Sequence, residues 1–179
     1  MDKVDLQPGG QVAPSPADGV QLILISVGGA YYAIDIMKIV EIIKNMPVTP
    51  VPRAPDFLEG VIDLRGGIIP VIDLRKRFEV DADGTVTKTR IVIIKVMDKV
   101  AGLVVDEVKE VLKVPAGRLL PPPKIVQGIE SEYLSGVVSD RGRIILVLDL
   151  DRILTTTERI QFRNLVFKNK KREALHEDS

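Results

Sequence analysis

Two stretches of this chain repeat one another, and the repetition limits the folds that the chain can adopt. Residues 60–78 align without gaps with residues 136–154, and nine positions of the alignment are identical. The identical pairs are Gly60/Gly136, Val61/Val137, Arg65/Arg141, Gly66/Gly142, Ile68/Ile144, Ile69/Ile145, Val71/Val147, Asp73/Asp149 and Leu74/Leu150. A weaker echo relates residues 39–43 to residues 108–112. Two copies of one pattern predict two similar units rather than a solenoid, which needs more repeats to be stable.

The pattern within each copy is typical of β-strands. Apolar runs flank turn signals at Gly28-Gly29, Arg65-Gly66-Gly67, Asp98-Lys99 and Asp140-Arg141-Gly142, and glycine accepts the positive φ of tight hairpins. The core must be aliphatic, because aromatic residues make up 4% of the chain with no Trp, and Val and Ile favour strands. Each unit offers about five strands, and closing them into a barrel removes exposed edges. Residues 22–25 and 91–94 are apolar on both faces, which predicts that the two barrels pack together.

Several short elements are expected around these strands. Asp73 is predicted to cap a short helix over residues 74–78, because its carboxylate can accept the first free N–H groups. Residues 37–44 fit either a short helix or a bent strand, and prolines at 47, 50, 52 and 55 end any regular element. Residues 56–60 are predicted to form one turn of helix that ends at Gly60.

The predicted organisation is a folded body between two tails. Residues 1–19 are predicted to be a flexible N-terminal tail. Residues 20–155 form two intertwined subdomains, at approximately 20–85 and 86–155. Residues 156–179 are predicted to be a polar, solvated tail that can form a partial helix. The chain begins without the apolar core of a signal peptide and has no run of about 18 apolar residues, so direct membrane insertion is not expected.

The residue types needed for most catalytic sites are scarce. Cysteine is absent and His176 is the only histidine, near the C-terminus, so Cys- or His-based nucleophilic and metal sites are not expected. The Gly-Gly pairs lie in hairpins rather than before helices, which argues against a phosphate-binding loop. Asp73 and Asp149 could be paired acids across a cleft, but two equivalent helix caps explain them better. We therefore expect neither catalysis nor a cofactor.

The net charge is zero, with 25 basic and 25 acidic residues, and this argues against broad nucleic-acid binding. A small β-barrel that binds nucleic acid remains an alternative, with Tyr31, Tyr32 and Tyr133 as the stacking candidates.

Residues 60–78 read Gly-Val-Ile-Asp-Leu-Arg-Gly-Gly-Ile-Ile-Pro-Val-Ile-Asp-Leu-Arg-Lys-Arg-Phe. This stretch closely resembles the signature of the bacterial CheW-like domains of chemotaxis adaptors. Residues 34–43 and 136–150 also fit, so the resemblance covers roughly residues 20–155. Family members commonly carry Asn at the position of Asp63, so this chain places an extra charge beside Arg65.

The resemblance implies an all-β fold of two five-stranded SH3-like barrels. It implies a non-enzymatic adaptor that couples transmembrane chemoreceptors to a sensor histidine kinase. The implied partners are the kinase's regulatory domain and the cytoplasmic tip of chemoreceptors, with the adaptor itself cytoplasmic and monomeric when free. A detached kinase regulatory domain, which has the same fold, is the runner-up of the same type.

The resemblance also indicates partner-binding residues. Arg65 matches an arginine used in partner contacts, and a planar guanidinium suits that role. Glu41, Ile39 and Ile42 match a segment implicated in kinase or receptor binding, and Gly60 matches a glycine whose replacement is expected to disturb receptor coupling. Gly66, Gly136 and Arg141 complete the predicted set through the turn and the repeat. If some of residues 39–43 point outward, they would form a groove for an amphipathic receptor helix.

Overall fold

A computed structural model describes residues 19–80, 89–96, 98–122, 132–155 and 157–164. These residues contain ten strands and two α-helices. The strands are β1 Val20–Val27, β2 Ala30–Asp35, β3 Ile39–Lys44, β4 Gly60–Leu64, β5 Gly67–Asp73, β6 Arg90–Val96, β7 Lys99–Val105, β8 Glu107–Val114, β9 Leu134–Asp140 and β10 Arg143–Leu148. Helix α1 is Leu74–Arg77 and α2 spans 157–164, with 3-10 turns at Ile36–Lys38, Ala116–Arg118 and Leu150–Arg152. None of the described helices is long and apolar enough to cross a membrane.

The strands form two sheets with the same design. Barrel 1 has the order β8-β1-β2-β10-β9 and barrel 2 has the order β3-β6-β7-β5-β4. Neighbouring strands are antiparallel except for one parallel pair in each sheet, β2 with β10 and β5 with β7. The predicted all-β class with five strands in each unit is confirmed.

The two sheets do not correspond to the two halves of the sequence. Strands β1 and β2 are completed by β8–β10, and β6 and β7 are completed by β3–β5. The ladder of β8 with β1 in barrel 1 is equivalent to the ladder of β3 with β6 in barrel 2. Glu110 lies opposite Leu24 in the first and Glu41 lies opposite Ile93 in the second, and each ladder has a β-bulge next to the glutamate. Each sheet therefore takes strands from both sides of residue 85, and a boundary there does not separate the barrels.

Alternation along the strands explains the runs that are apolar on both faces. Leu22 and Leu24 point into a small core within barrel 1, whereas Ile23 and Ile25 point into a large core shared by the two sheets. The run 91–94 behaves in the same way in barrel 2. The prediction that the barrels pack together is confirmed, because successive side chains of a strand face opposite sides.

The outer strands of barrel 2 lie close together. Strands β3 and β4 are at opposite ends of the sheet order, and a flat sheet would separate them by about four strand spacings, roughly 19 Å. Glu41 on β3 nevertheless meets Arg65, in the turn after β4, at 2.7 Å. The sheet must therefore curl strongly, as a small barrel does.

Two local predictions about the first half have clear outcomes. Asp73 accepts a hydrogen bond from the Arg75 backbone N–H at 2.9 Å and caps α1, as predicted. The helical turn predicted over residues 56–60 is wrong: Leu58 N donates to Pro55 O, and Glu59 N then donates to Val71 O. Pairing with β5 draws this segment into an extended path before one turn of helix can form. The ambiguous segment 37–44 is the end of a 3-10 turn followed by strand β3.

The start of the C-terminal tail is ordered and docked, which corrects the prediction of a solvated tail over that part. Thr155 and Glu158 form a capping box, in which Glu158 Oε2 accepts from Thr155 N at 2.8 Å and Thr155 Oγ1 accepts from Glu158 N. Phe162 of α2 is completely buried in the shared core. The predicted N-terminal tail up to residue 18, residues 165–179 and His176 lie outside the described residues.

Candidate docking surface

An ion pair joins the two outer strands of barrel 2. Arg65 Nη1 donates to Glu41 Oε2 at 2.8 Å and Arg65 Nη2 donates to Glu41 Oε1 at 2.7 Å. The hydrogen bonds to Glu41, followed by the attraction of its charge, raise the pKa of Arg65. The arginine side chain is 74% exposed and the glutamate 26%. Two residues that sequence analysis assigned separately to partner contact are thus partners of each other, and the guanidinium still presents its outer edge to solvent.

The hairpin turn aims Arg65 at β3. Arg65 and Gly66 have φ values of 54° and 83°, the double positive φ of a type I′ turn, whose twist matches that of the flanking strands. Asp63 Oδ1 accepts from Gly66 N at 3.0 Å. The aspartate that departs from the family pattern therefore stabilises the turn.

Exposed apolar side chains lie on the same strand as Glu41. Val40 is the residue skipped in the ladder between β3 and β6, and it is 53% exposed; Ile42 is 38% exposed. Ile39 and Ile43 point inward, to the shared core and to the barrel 2 core. The Ile42 side chain is thus open to solvent, whereas Ile39 supports the strand from within. The alternation in β3 comes from its pairing with β6, which the sequence pattern left undecided.

Sequence analysis did not single out several exposed apolar residues, and two of them lie on elements next to β3 or β4. Met37, on the 3-10 turn, is 59% exposed, and Ile68, on β5, is 37% exposed. No sequence signal separated them from core residues, because both are flanked by isoleucines that are less exposed, Ile36 and Ile39 around Met37 and Ile69 beside Ile68.

Gly60 and Gly136 are buried and support loops. A Cβ on Gly60 would lie 2.3 Å from Thr49 O, and one on Gly136 would lie 2.8 Å from Leu119 Cδ1. Each glycine is next to a backbone bridge that anchors a connecting segment, Thr49 to Val61 and Leu120 to Val137. Neither glycine offers a side chain to a partner, so an effect of replacing Gly60 on receptor coupling would be transmitted through the segment at Thr49.

Barrel 1 carries a related ion pair with a different arginine. Arg141 occupies the same turn position as Arg65, with φ 49°, but its side chain forms no hydrogen bond or ion pair within the described residues. Arg143 instead binds Glu110 at 2.7 Å and Asp140 at 2.9 Å, and its guanidinium lies 5.5 Å from the centre of the Tyr31 ring. Sequence analysis missed Arg143 because the repeat places Gly67 at its position.

A groove runs along one end of barrel 1, where β2 leaves for β3. Two adjoining hollows of about 440 Å³ and 260 Å³ share Val20 and Asp35 on their walls. We call this the crossing groove. Its apolar walls include Val20, Leu22, Ile36, Met37, Leu119, Val147 and Leu150, and its charged residues are Asp35, Lys38, Lys113, Asp149 and Asp151.

The repeated aspartates act as caps. Asp73 and Asp149 each accept a hydrogen bond from the backbone N–H two residues on, at 2.9 Å and 3.1 Å. Among the residues that the structure describes, no group of three or more His, Cys, Asp and Glu residues could hold a metal ion.

Comparison with known proteins gives one consistent result. The family model of the CheW-like domain matches residues 21–158. The chain is 35% identical over 149 residues to the chemotaxis protein CheW of Treponema pallidum, covering 81% of this chain and 88% of that protein. It is 37% identical over 123 residues to CheW of Thermotoga maritima, covering 68% and 79%. A crystal structure of the scaffolding protein CheW from Thermoanaerobacter tengcongensis superposes with a TM-score of 0.72 and 31% identity, covering 78% of this chain and 95% of that one.

Proposed function

The chain belongs to the CheW-like domain family, and we propose on that premise that it is a cytoplasmic chemotaxis adaptor that binds two partners at once. Such an adaptor is a non-enzymatic scaffold that couples chemoreceptors to a histidine kinase. Its surfaces must therefore hold partners in place rather than bring reacting groups together. The match to the family model over residues 21–158 carries this conclusion.

We assign the face around the Glu41–Arg65 pair to the regulatory domain of the kinase. Val40 and Ile42 supply exposed apolar area, and the bidentate pair holds the arginine in one orientation. Arginine is enriched at the energetic centres of interfaces, and the buried middle of an interface is more apolar than the rest of the surface. A side chain that is already ordered loses less entropy on binding, so the internal pair favours association.

We assign the crossing groove to the cytoplasmic tip of the receptor. That tip is a helical hairpin in the receptors of this family, and an amphipathic helix binds by laying its apolar side in a groove of this kind. The volume and apolar walls of the groove support the assignment.

The groove and the Glu41 face are linked through β3. Met37 lines the groove and Glu41 follows four residues later. A receptor helix can shift the kinase only if it binds more tightly to one of the kinase's states than to the other. The continuous path from the 3-10 turn Ile36–Lys38 into β3 supplies a route for such a differential contact.

The test is co-purification with the kinase regulatory domain, followed by amide mapping of the contact surface. We expect Arg65→Ala and Ile42→Glu to weaken binding of the kinase domain while the circular dichroism spectrum stays unchanged. Arg141→Ala is the matched comparison, because it removes the equivalent turn arginine of barrel 1. If barrel 2 alone contacts the kinase, this variant should bind the kinase domain normally, although Arg141 belongs to the set predicted from the sequence. Binding of both barrel 2 variants at the level of the unmodified protein would refute the assignment of this face.

A further inference from the structure

The chain passes between the barrels at two points, and the charges at these points differ. It leaves barrel 2 for barrel 1 at Asp106, between β7 and β8, and it leaves barrel 1 for barrel 2 through Ile36–Lys38, between β2 and β3. Since the two barrels have equivalent designs, each crossing can be compared with the other.

At the first crossing an internal arginine lies between two acids. Arg75 Nη2 donates to Asp73 Oδ2 at 3.0 Å, and Arg75 Nε lies 3.7 Å from Asp106 Oδ1. Asp106 Oδ2 in turn accepts from Gly28 N at 2.7 Å. The hydrogen bond to Asp73 outweighs burial and raises the pKa of Arg75. Asp73 is only 6% exposed, so the arginine neutralises charge that water reaches poorly.

At the second crossing the repeat places an acid where Arg75 would be. Asp149 corresponds to Asp73, and Asp151 corresponds to Arg75. Asp35 is the acid on this crossing, and all three aspartates line the 260 Å³ part of the crossing groove, together with Lys38. The pattern of acids is therefore kept, but in the part of the chain that the structure describes no arginine contacts both Asp149 and Asp35 as Arg75 contacts both Asp73 and Asp106.

The arginines that the structure describes near Asp151 do not bind its carboxylate. Arg152 Nε lies 3.4 Å from Asp149 Oδ2, on a side chain that is 64% exposed. Arg159 donates to the backbone carbonyl of Asp151, and Asp35 accepts from Met37 N at 2.9 Å. Within the described residues the Asp151 carboxylate itself forms no hydrogen bond or ion pair.

The rest of the wall is apolar. Val20, Leu22, Leu119 and Leu150 line the same hollow as the three acids. Arginine has a long apolar stem and a charged planar head, so it can cover apolar side chains while the guanidinium meets carboxylates. The hollow combines both requirements.

We propose that the crossing groove binds an arginine from the receptor helix, which supplies at the second crossing the cation that Arg75 supplies at the first. The occupant is thus an amphipathic helix with an apolar stripe and an arginine beside it. This inference rests on the proposed docking of the receptor in the groove, and it adds the charge that selects the partner.

The experiment titrates the full chain with a purified hairpin-tip fragment of a chemoreceptor and follows binding by calorimetry. Asp151→Asn removes the unpaired carboxylate of this exposed residue, and we expect about two- to fivefold weaker binding, the range for an exposed charge pair. Asp151→Arg places an internal arginine where the repeat has one, and we expect a loss of more than about tenfold, because the site is then filled and of the wrong sign. Asp98→Asn, in the exposed β6–β7 turn, is the matched control and should bind normally.

A charge exchange makes the test specific. If the arginine of the fragment that contacts the groove is changed to glutamate, binding to Asp151→Arg should be stronger than binding to the unmodified chain. Equal affinities of the unmodified chain and Asp151→Arg for the original fragment would overturn the inference while leaving receptor docking intact. A fragment that binds neither protein would refute docking of the receptor itself. Loss of self-association in Asp151→Arg, with unchanged fragment binding, would also overturn the inference, since the occupant would then be a second copy of the chain.

Discussion

The docked C-terminal helix makes a quantitative prediction about stability. Phe162 is completely buried in the core shared by the barrels, although it lies in α2, beyond the residues that match the family model. Replacing a buried Phe by Ala typically costs about 3–5 kcal/mol, from lost burial plus the cavity left behind. Because α2 lies after the last strand, it can also detach as a unit. The substitution can cost no more stability than docking of α2 contributes, because beyond that point the helix would simply detach. We therefore expect Phe162→Ala to lower the free energy of unfolding by about 3 kcal/mol, the lower end of the range.

The assay is urea denaturation at neutral pH, with hydrogen exchange to locate the change. Phe162→Leu keeps most of the buried volume and should cost about 1 kcal/mol. Ile160→Ala is the matched control, because Ile160 is 56% exposed on the same helix, and it should change stability by less than about 0.5 kcal/mol. Amides of α2 in Phe162→Ala should exchange faster than those of β6, since the helix detaches before the sheets open.

One result would refute the reasoning directly. If Phe162→Ala unfolds within about 0.5 kcal/mol of the unmodified chain, then α2 does not contribute to the shared core in solution. If all three variants lose equal stability, the effect comes from the helix backbone rather than from burial of the ring.

Two further perturbations test the same physical picture. Burial alone would raise the pKa of Glu158, but hydrogen bonds from Arg77 and Thr155 lower it overall from the usual 4.5, so the stability it contributes should be lost as the pH falls through the lower, folded-state pKa. Glu158→Gln should remove this contribution to the pH dependence of the free energy of unfolding, which denaturation at several acidic pH values would measure. The same pH dependence in the variant and the unmodified chain would contradict the pairing of Glu158 with Arg77. Gly60→Ala should destabilise the chain by more than about 1 kcal/mol, because its Cβ would meet the Thr49 carbonyl oxygen at 2.3 Å. In Gly66→Ala the new Cβ meets nothing within 4 Å, so this variant should cost only the strain of positive φ, about 1 kcal/mol. Thermal melts that ranked the two variants in the opposite order would contradict this account.

Local pattern predicted the strands well because each depends mainly on its own residues. The doubly apolar run at residues 22–25 and the turn at Arg65-Gly66 both follow from alternation and from turn chemistry. The cap at Asp73 was predictable for the same reason, since its partner is the N–H only two residues away. These features need no knowledge of distant contacts.

The features that the sequence analysis did not predict depend on contacts between residues that are far apart in the sequence. Nothing in β3 indicates that it pairs with β6 rather than with a strand of its own half, so the sequence pattern did not show which strands the two predicted, intertwined subdomains exchange. The choice of Arg143 over Arg141 as the partner of Glu110 depends on how the curled sheet brings strand ends together. The helix after Leu154 did have a local signal, the Thr155–Glu158 capping box, but the surrounding charges favoured a solvated tail.

The exchange of strands bears on how an adaptor of this kind can transmit a signal. Because the whole of barrel 2, β3–β7, is inserted between β2 and β8 of barrel 1, two chain links join the barrels, and parting them would open the core that they share. A receptor helix in the crossing groove would contact one of the two links between them, Ile36–Lys38, while Arg75 holds the other link at Asp106. Displacement of the first link would then be converted into rotation about the second, and β3 would carry it to the Glu41–Arg65 face. Two barrels joined by a single linker would absorb the same displacement in the linker, so the second link and the shared core are what would allow one face to respond to the other.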